Sequence, residues 1–169
     1  MSSAKDWQRA FARQALADLD TWDRLQHSPD LPQCHKLHFL QMACEKLAKA
    51  HLLETVRDPY AIQRKHGYVA KTLPLIATDQ FARRTGKRPK RYDFLLRQIR
   101  HLAREIDLLS PAVHGDRRRP ENCEYPWERD GTLCIPADYT FPNLSLLAEP
   151  VGRTILKIVH EANSHLAGS

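Results

Sequence analysis

The chain has 169 residues, 42% hydrophobic and 27% charged, with six Gly, eleven Pro and four Cys. That length and apolar share support one folded domain over residues 1–169 with a sizeable core, and they exclude wholesale disorder. The 26 Lys and Arg outnumber the 20 Asp and Glu to leave +6, but the excess is local. Nine bases between Arg83 and Arg104 face one acid, Asp93, a patch of +8 that leaves the rest of the chain at −2. Such a concentrated field suits a polyanion or an acidic protein.

A first helix is expected from about Ser3 to His27, opened by a serine cap and closed before Pro29. Trp7, Phe11, Ala15, Leu19, Trp22 and Leu25 share one stripe, and Asp18 interrupts it. A second helix follows from Pro32 to about Thr55, with Leu37, Leu40, Cys44, Leu47 and Leu52 on its stripe. Phe39, Ala43 and Ala50 widen that stripe enough to predict a central, heavily buried helix. His51 interrupts it as Asp18 interrupts the first. A third, shorter helix starts near His66, and Pro74 is expected to end or kink it. The fourth, about Lys90 to Leu109, buries Leu95, Ile99, Leu102, Ile106 and Leu109. It turns Asp93, Arg97, Arg100, His101 and Arg104 to the opposite side.

Five prolines between 111 and 142 then break any long helix. The aromatic stretch Glu124-Tyr125-Pro126-Trp127 reads as an ordered excursion (110–142) lying across the bundle, with a short strand at Leu133–Ile135. The last helix runs from Pro150 to about Leu166 and packs Val151, Ile155, Ile158, Val159 and Ala162. The expected fold class is all-α, an up-and-down bundle of four to five helices with a long Pro-rich ordered loop before the last. No apolar run approaches the roughly 20 residues that span a bilayer, so no membrane association is expected. The opening residues hold no apolar segment, so a secretory signal is not expected either, and the thiols fit a reducing cytoplasm.

Several clusters carry chemistry. The basic helix face, Arg97, Arg100 and Arg104 with Lys87 and Arg88 at its approach, suits backbone phosphates. Its bland counterpart is a solvated helix face. Asp18 and His51 would satisfy each other as a buried pair between adjacent helices, or else line a polar notch. Glu45 and Lys49, four apart, suit a surface ion pair; Lys46 or Lys49 would meet a nucleotide phosphate only from a cleft. Asp18, His51, Lys46, Lys49, Tyr125 and Trp127 together make the candidate pocket, with Tyr125 and Trp127 read otherwise as anchors of the loop. Cys34, His35 and His38 invite a metal, but no second closely spaced ligand pair follows. Cys123 and Cys134 would complete a site only if the loop folded back. The expectation is therefore no metal and no cofactor.

The segment Cys34-His-Lys-Leu-His-Phe-Leu-Gln41-Met-Ala-Cys-Glu45-Lys46-Leu-Ala-Lys49-Ala50-His-Leu-Leu53 resembles the signature helix of HEPN-domain proteins. There a Gln precedes an Ala-rich turn, then Glu-Lys, then Lys-Ala. Ala15-Leu-Ala-Asp18-Leu19 in the first helix and His66 opening the third agree with the resemblance, which covers residues 8 to 109. It implies a helical bundle, a homodimer, and RNA or a nucleotide as ligand. It implies also a toxin–antitoxin or other defence setting, with an antitoxin or a nucleotidyltransferase-like protein as partner. Nuclease members carry an Arg, then four to six intervening residues, then a His. The single segment with that spacing is Arg153-Thr-Ile-Leu-Lys-Ile-Val-His160, two turns that leave one side of the last helix. Two readings stand: a metal-independent endoribonuclease in which Arg153 holds phosphate and His160 moves protons, or a non-catalytic binding module.

Overall fold

The computed structural model describes residues 2–56, 58–86, 92–113 and 120–168. It is an all-α bundle among those residues: α1 (Ala4–Gln26), α2 (Gln33–Leu52), the short α3 (Pro59–Gln63), α4 (Val69–Thr85), α5 (Asp93–Asp107) and α6 (Pro150–Gly168). Ser3 opens α1 in a reciprocal capping box: its hydroxyl accepts from Asp6 N at 3.2 Å, and its own N–H donates to the Asp6 carboxylate at 2.8 Å. The Gln8 side chain donates to Ala50 O near the far end of α2, so α1 and α2 pack antiparallel. On α2 the expected breadth of burial is borne out, with Leu37, Leu40, Ala43, Cys44, Leu47 and Ala50 all buried.

Helix α4 corrects one expectation: it neither ends nor restarts at Pro74 but runs through it. A proline there removes a single N–H from the ladder and costs about 3 kcal/mol in an isolated helix. Burial of the neighbouring Leu73, Ile76 and Ala77 offsets that loss, and Thr78 Oγ1 donates to Pro74 O at 2.8 Å. The start of α4 is capped from another helix, since Asp107 Oδ1 at the end of α5 accepts from Val69 N at 3.2 Å. Tyr92, just ahead of α5, stacks on Phe81 near the end of α4, the rings 4.5 Å apart. These two contacts fix α4 and α5 as a second antiparallel pair. Leu96, Ile99, Leu102 and Ile106 of α5 are fully buried between α4, α2 and α6.

The Pro-rich excursion is ordered over 120–149. Its hairpin pairs β1 (Trp127–Arg129) with β2 (Thr132–Cys134), so the strand expected at 133–135 is one arm of a ribbon. Asp130 and Gly131, both with positive φ (51° and 75°), form the two-residue turn whose twist matches the strands. Trp127 is buried and stands edge-on to Tyr139, which stands edge-on to Phe141. Phe141 N donates to the Gln33 side chain at 3.1 Å, tying the excursion to the first turn of α2. A 3-10 segment, Pro142–Ala148, leads into α6, which touches α1, α2, α4 and α5. Gly152 sits where a Cβ would collide with the backbone of Leu146 and Leu147, so only glycine lets that segment fold back on the helix.

Candidate functional site

The exposed side of α5 carries Arg97, Arg100 and Arg104, with His101 between them and Phe94 one turn earlier, all solvent-facing. The three guanidinium groups form no ion pair among the described residues. Periodicity of 3.6 places them there: the apolar positions 96, 99, 102 and 106 take the core, and the arginines fall opposite. Tyr92 is occupied by Phe81, whereas Phe94 is 62% exposed, so the aromatic beside the arginines is Phe94. Lys87 and Arg88 lie outside the described residues, as do Lys90, Arg91, His114 and Arg117 to Arg119. Arg84, at the end of α4, is paired with Glu161.

Arg153 and His160 both lie on the exposed side of α6, opposite Val151, Ile155 and Ala162, as the spacing predicts. The cleft that the resemblance implies would need a second copy of the chain. The Arg153 guanidinium donates to Ala148 O at 3.1 Å, bracing the turn that precedes its own helix. His160 looks across to α1, where its charge opposes the burial and the Asp20 charge that raise the Asp23 carboxyl.

The Asp18–His51 pairing is corrected. Asp18 is buried, but its partners are the ammonium of Lys46 and the Gln14 side chain, the latter at 3.1 Å. His51 is half-buried and stands 3.7 Å from Glu54. The antiparallel register explains why: with Gln8 opposite Ala50, Asp18 lies ten residues, about 15 Å, along α1 from the level of His51. The longer Lys46 side chain reaches it instead. The Glu45–Lys49 pair exists, at 2.7 Å, but in the interior and not on the surface.

Around Glu45 the buried groups are all answered. Gln41 Nε2 donates to Oε2 at 2.8 Å, His66 Nδ1 meets Oε1 at 3.0 Å, and Lys49 Nζ also donates to Gln63 O at 3.0 Å. Burial pushes the Glu45 carboxyl up. The hydrogen bonds from Lys49 and Gln41, the Lys49 charge and the His66 contact outweigh it, and the carboxyl ends below its usual range. Nearby Asp107 goes the other way: burial raises it more than its backbone hydrogen bonds lower it, and the Glu45 charge adds to the rise. Lys46 and Lys49 therefore point at carboxylates, not into a cleft.

Of the loop aromatics, Trp127 is a buried anchor and Tyr125 is exposed, so the candidate pocket set of Asp18, His51, Lys46, Lys49, Tyr125 and Trp127 does not converge. The excursion does bring other side chains together. Cys123 lies beside His38 of α2, with Sγ 3.9 Å from Nδ1, and Glu124 Oε1 lies 3.7 Å from the same nitrogen. Cys134 stays on β2, its thiol directed to Thr132 O, and His35 is exposed. Burial pushes the Cys123 thiol up to about 12, the Glu124 charge adding to it, and all four cysteines are free. Glu124 had no spacing that marked it in the sequence. Its one signal was its place next to a cysteine in a stretch too aromatic to be a linker.

No helix among the described residues is long and apolar enough to cross a membrane. Comparison with family models, with curated proteins and with solved structures finds no match for this chain.

Proposed function

We propose that the protein is a HEPN-like module that binds RNA, in the cytoplasm, through the exposed side of α5. The observation that carries this reading is the row Arg97, Arg100 and Arg104: three permanent cations on a rigid helix, unanswered by any acid among the described residues. Arginine holds phosphate through a planar fork of N–H donors, and three on successive turns match a repeating anion better than a single ligand. Exposed Phe94 on the same helix adds a ring on which an unpaired base can stack. The resemblance of α2 to the HEPN signature supports the same ligand class, and with it a homodimer, or an antitoxin or nucleotidyltransferase-like partner. The non-catalytic version is favoured by one contact: Arg153 braces the turn before its own helix.

Fluorescence anisotropy with a labelled single-stranded RNA tests it. Binding should weaken with salt, at a log–log slope of about −2 for three phosphate contacts on a single strand. The triple variant Arg97→Glu, Arg100→Glu, Arg104→Glu should lose it. Affinity untouched by that charge reversal removes the proposal. Incubating RNA with the protein in chelator, beside Arg153→Ala and His160→Ala, decides the catalytic version: cleavage lost in both variants would reinstate it.

A further inference from the structure

The start of α2 and the middle of the Pro-rich excursion bring metal-ligand side chains together from segments some 85 residues apart. Cys34 and His38 lie one turn apart, so both leave the same side of the helix, Cys34 buried and His38 half-buried. The excursion is pinned against them by its own backbone. Cys123 N donates to Leu109 O at 3.1 Å. The Asn122 side chain accepts from Glu124 N at 2.9 Å and Tyr125 N at 2.7 Å, a turn that fixes where Glu124 points. The His38 imidazole, the Cys123 sulfur and a Glu124 oxygen end with their ligand atoms all within 4.8 Å of one another.

We propose that His38, Cys123 and Glu124 form a zinc site, its fourth position left to water, that clamps the Pro-rich excursion to α2. The two separations from the His38 nitrogen come close. With Zn–S near 2.3 Å and Zn–N and Zn–O near 2.1 Å, a tetrahedron sets S···N at about 3.6 Å and N···O at about 3.4 Å. The 3.9 Å and 3.7 Å observed need a contraction of about 0.3 Å. As direct hydrogen bonds those distances are too long to hold the groups together, so the cluster is placed by the backbone around it. A thiolate, an imidazole and a carboxylate make a mixed donor set that suits zinc better than magnesium or calcium. Binding would release the Cys123 thiol proton to solvent, leaving its sulfur as a thiolate on the metal.

The test uses the full chain in reducing buffer, first stripped with chelator and then titrated with Co²⁺ as a visible probe. One equivalent should give the absorption of tetrahedral cobalt with a thiolate charge-transfer band, and one equivalent of Zn²⁺ should erase it. Zn²⁺ should also raise the Tm of the native protein by several degrees, an effect of ligand binding to the folded state alone. His38→Ala and Glu124→Gln change partly exposed side chains, so both should fold, checked by circular dichroism, and each should weaken Co²⁺ at least tenfold. No stoichiometric uptake by the native chain, no thiolate band, or uptake unaffected in His38→Ala and Glu124→Gln would overturn the site. None of these readouts involves RNA, so they stand or fall apart from the α5 reading.

Discussion

Helix α2 buries a charged pair inside the bundle, whereas α5 carries a row of arginines on its exposed side. On α2 the charges turn inward: Glu45 and Lys49 are about 95% buried, and every polar group near them has a partner. On α5 the core side is apolar along Leu96, Ile99, Leu102 and Ile106, with the buried acids Glu105 and Asp107 in its last turn, and the three arginines stand outside without an ion pair among the described residues. A buried charge with its partner is committed to the fold, because removing it strands the other. An exposed and unanswered one contributes little to stability and keeps its capacity for an outside anion. The contrast separates the residues that hold this protein together from those free to meet a ligand.

The sharpest break of that contrast is Lys49→Met, which keeps the volume and deletes the charge. It leaves the Glu45 carboxylate buried beside only Gln41 and His66, and should cost about 3–5 kcal/mol in urea unfolding at neutral pH. The pH dependence carries the sign. In the native protein the Glu45 carboxyl is held below its ordinary value of 4.5, so its stabilisation is present at neutral pH and is lost as pH falls through the lowered value. In the variant burial acts with the Lys49 contribution gone, the carboxyl rises, and protonation relieves the strain. The deficit should therefore shrink between about pH 7 and about pH 4. Two unfolding curves that stay parallel across that range would show that Lys49 does not answer Glu45.

Lys46→Met sharpens the comparison at the rim of the same helix. Asp18 loses its ammonium partner but keeps Gln14, and Lys46 retains some solvent access, so the loss should be smaller, about 1–3 kcal/mol. A His51→Ala change, which the sequence would have ranked beside it, should leave Asp18 unaffected, since His51 meets Glu54 instead.

That difference marks where the sequence stops being readable. The helical period is a local property, so the buried and exposed sides of α1, α5 and α6 follow from spacing alone, down to Arg97, Arg100 and Arg104 outside and Ile155 and Val159 inside. Which residue of one helix meets which residue of another depends on register and rotation between helices, and no local pattern contains those. Hence spacing alone suggests His51 or a polar notch for Asp18, which Lys46 in fact meets, and the surface for Glu45 with Lys49, which lie inside. The five-residue α3 is too short for a period; only its Asp58 cap and Pro59 mark it. Pro74 does not end its helix because tertiary packing overrides a local breaker. The approach of Cys123 and Glu124 to His38 rests on long-range anchors, Leu109 O and Gln33, that have no signature along the chain.

The smallest expected effect on stability, and the most telling for the comparison, comes from α5. Each single change Arg97→Glu, Arg100→Glu or Arg104→Glu alters an exposed cation with no described partner and leaves the apolar side of the helix intact. Each should shift the unfolding free energy by no more than about 0.5 kcal/mol, the range of ordinary surface substitutions. Relieving repulsion in a +8 segment can even make the sign favourable. RNA affinity should fall at each position together with the salt slope, because every arginine that leaves the phosphates releases fewer counterions. Stability and binding would then respond to different residues: changes at Lys49 and Lys46 destabilise the fold, and changes at the three arginines leave it folded but weaken binding. A loss of several kcal/mol at any of the three arginines would mean that they, too, are committed to the fold, and the contrast between the helices would collapse.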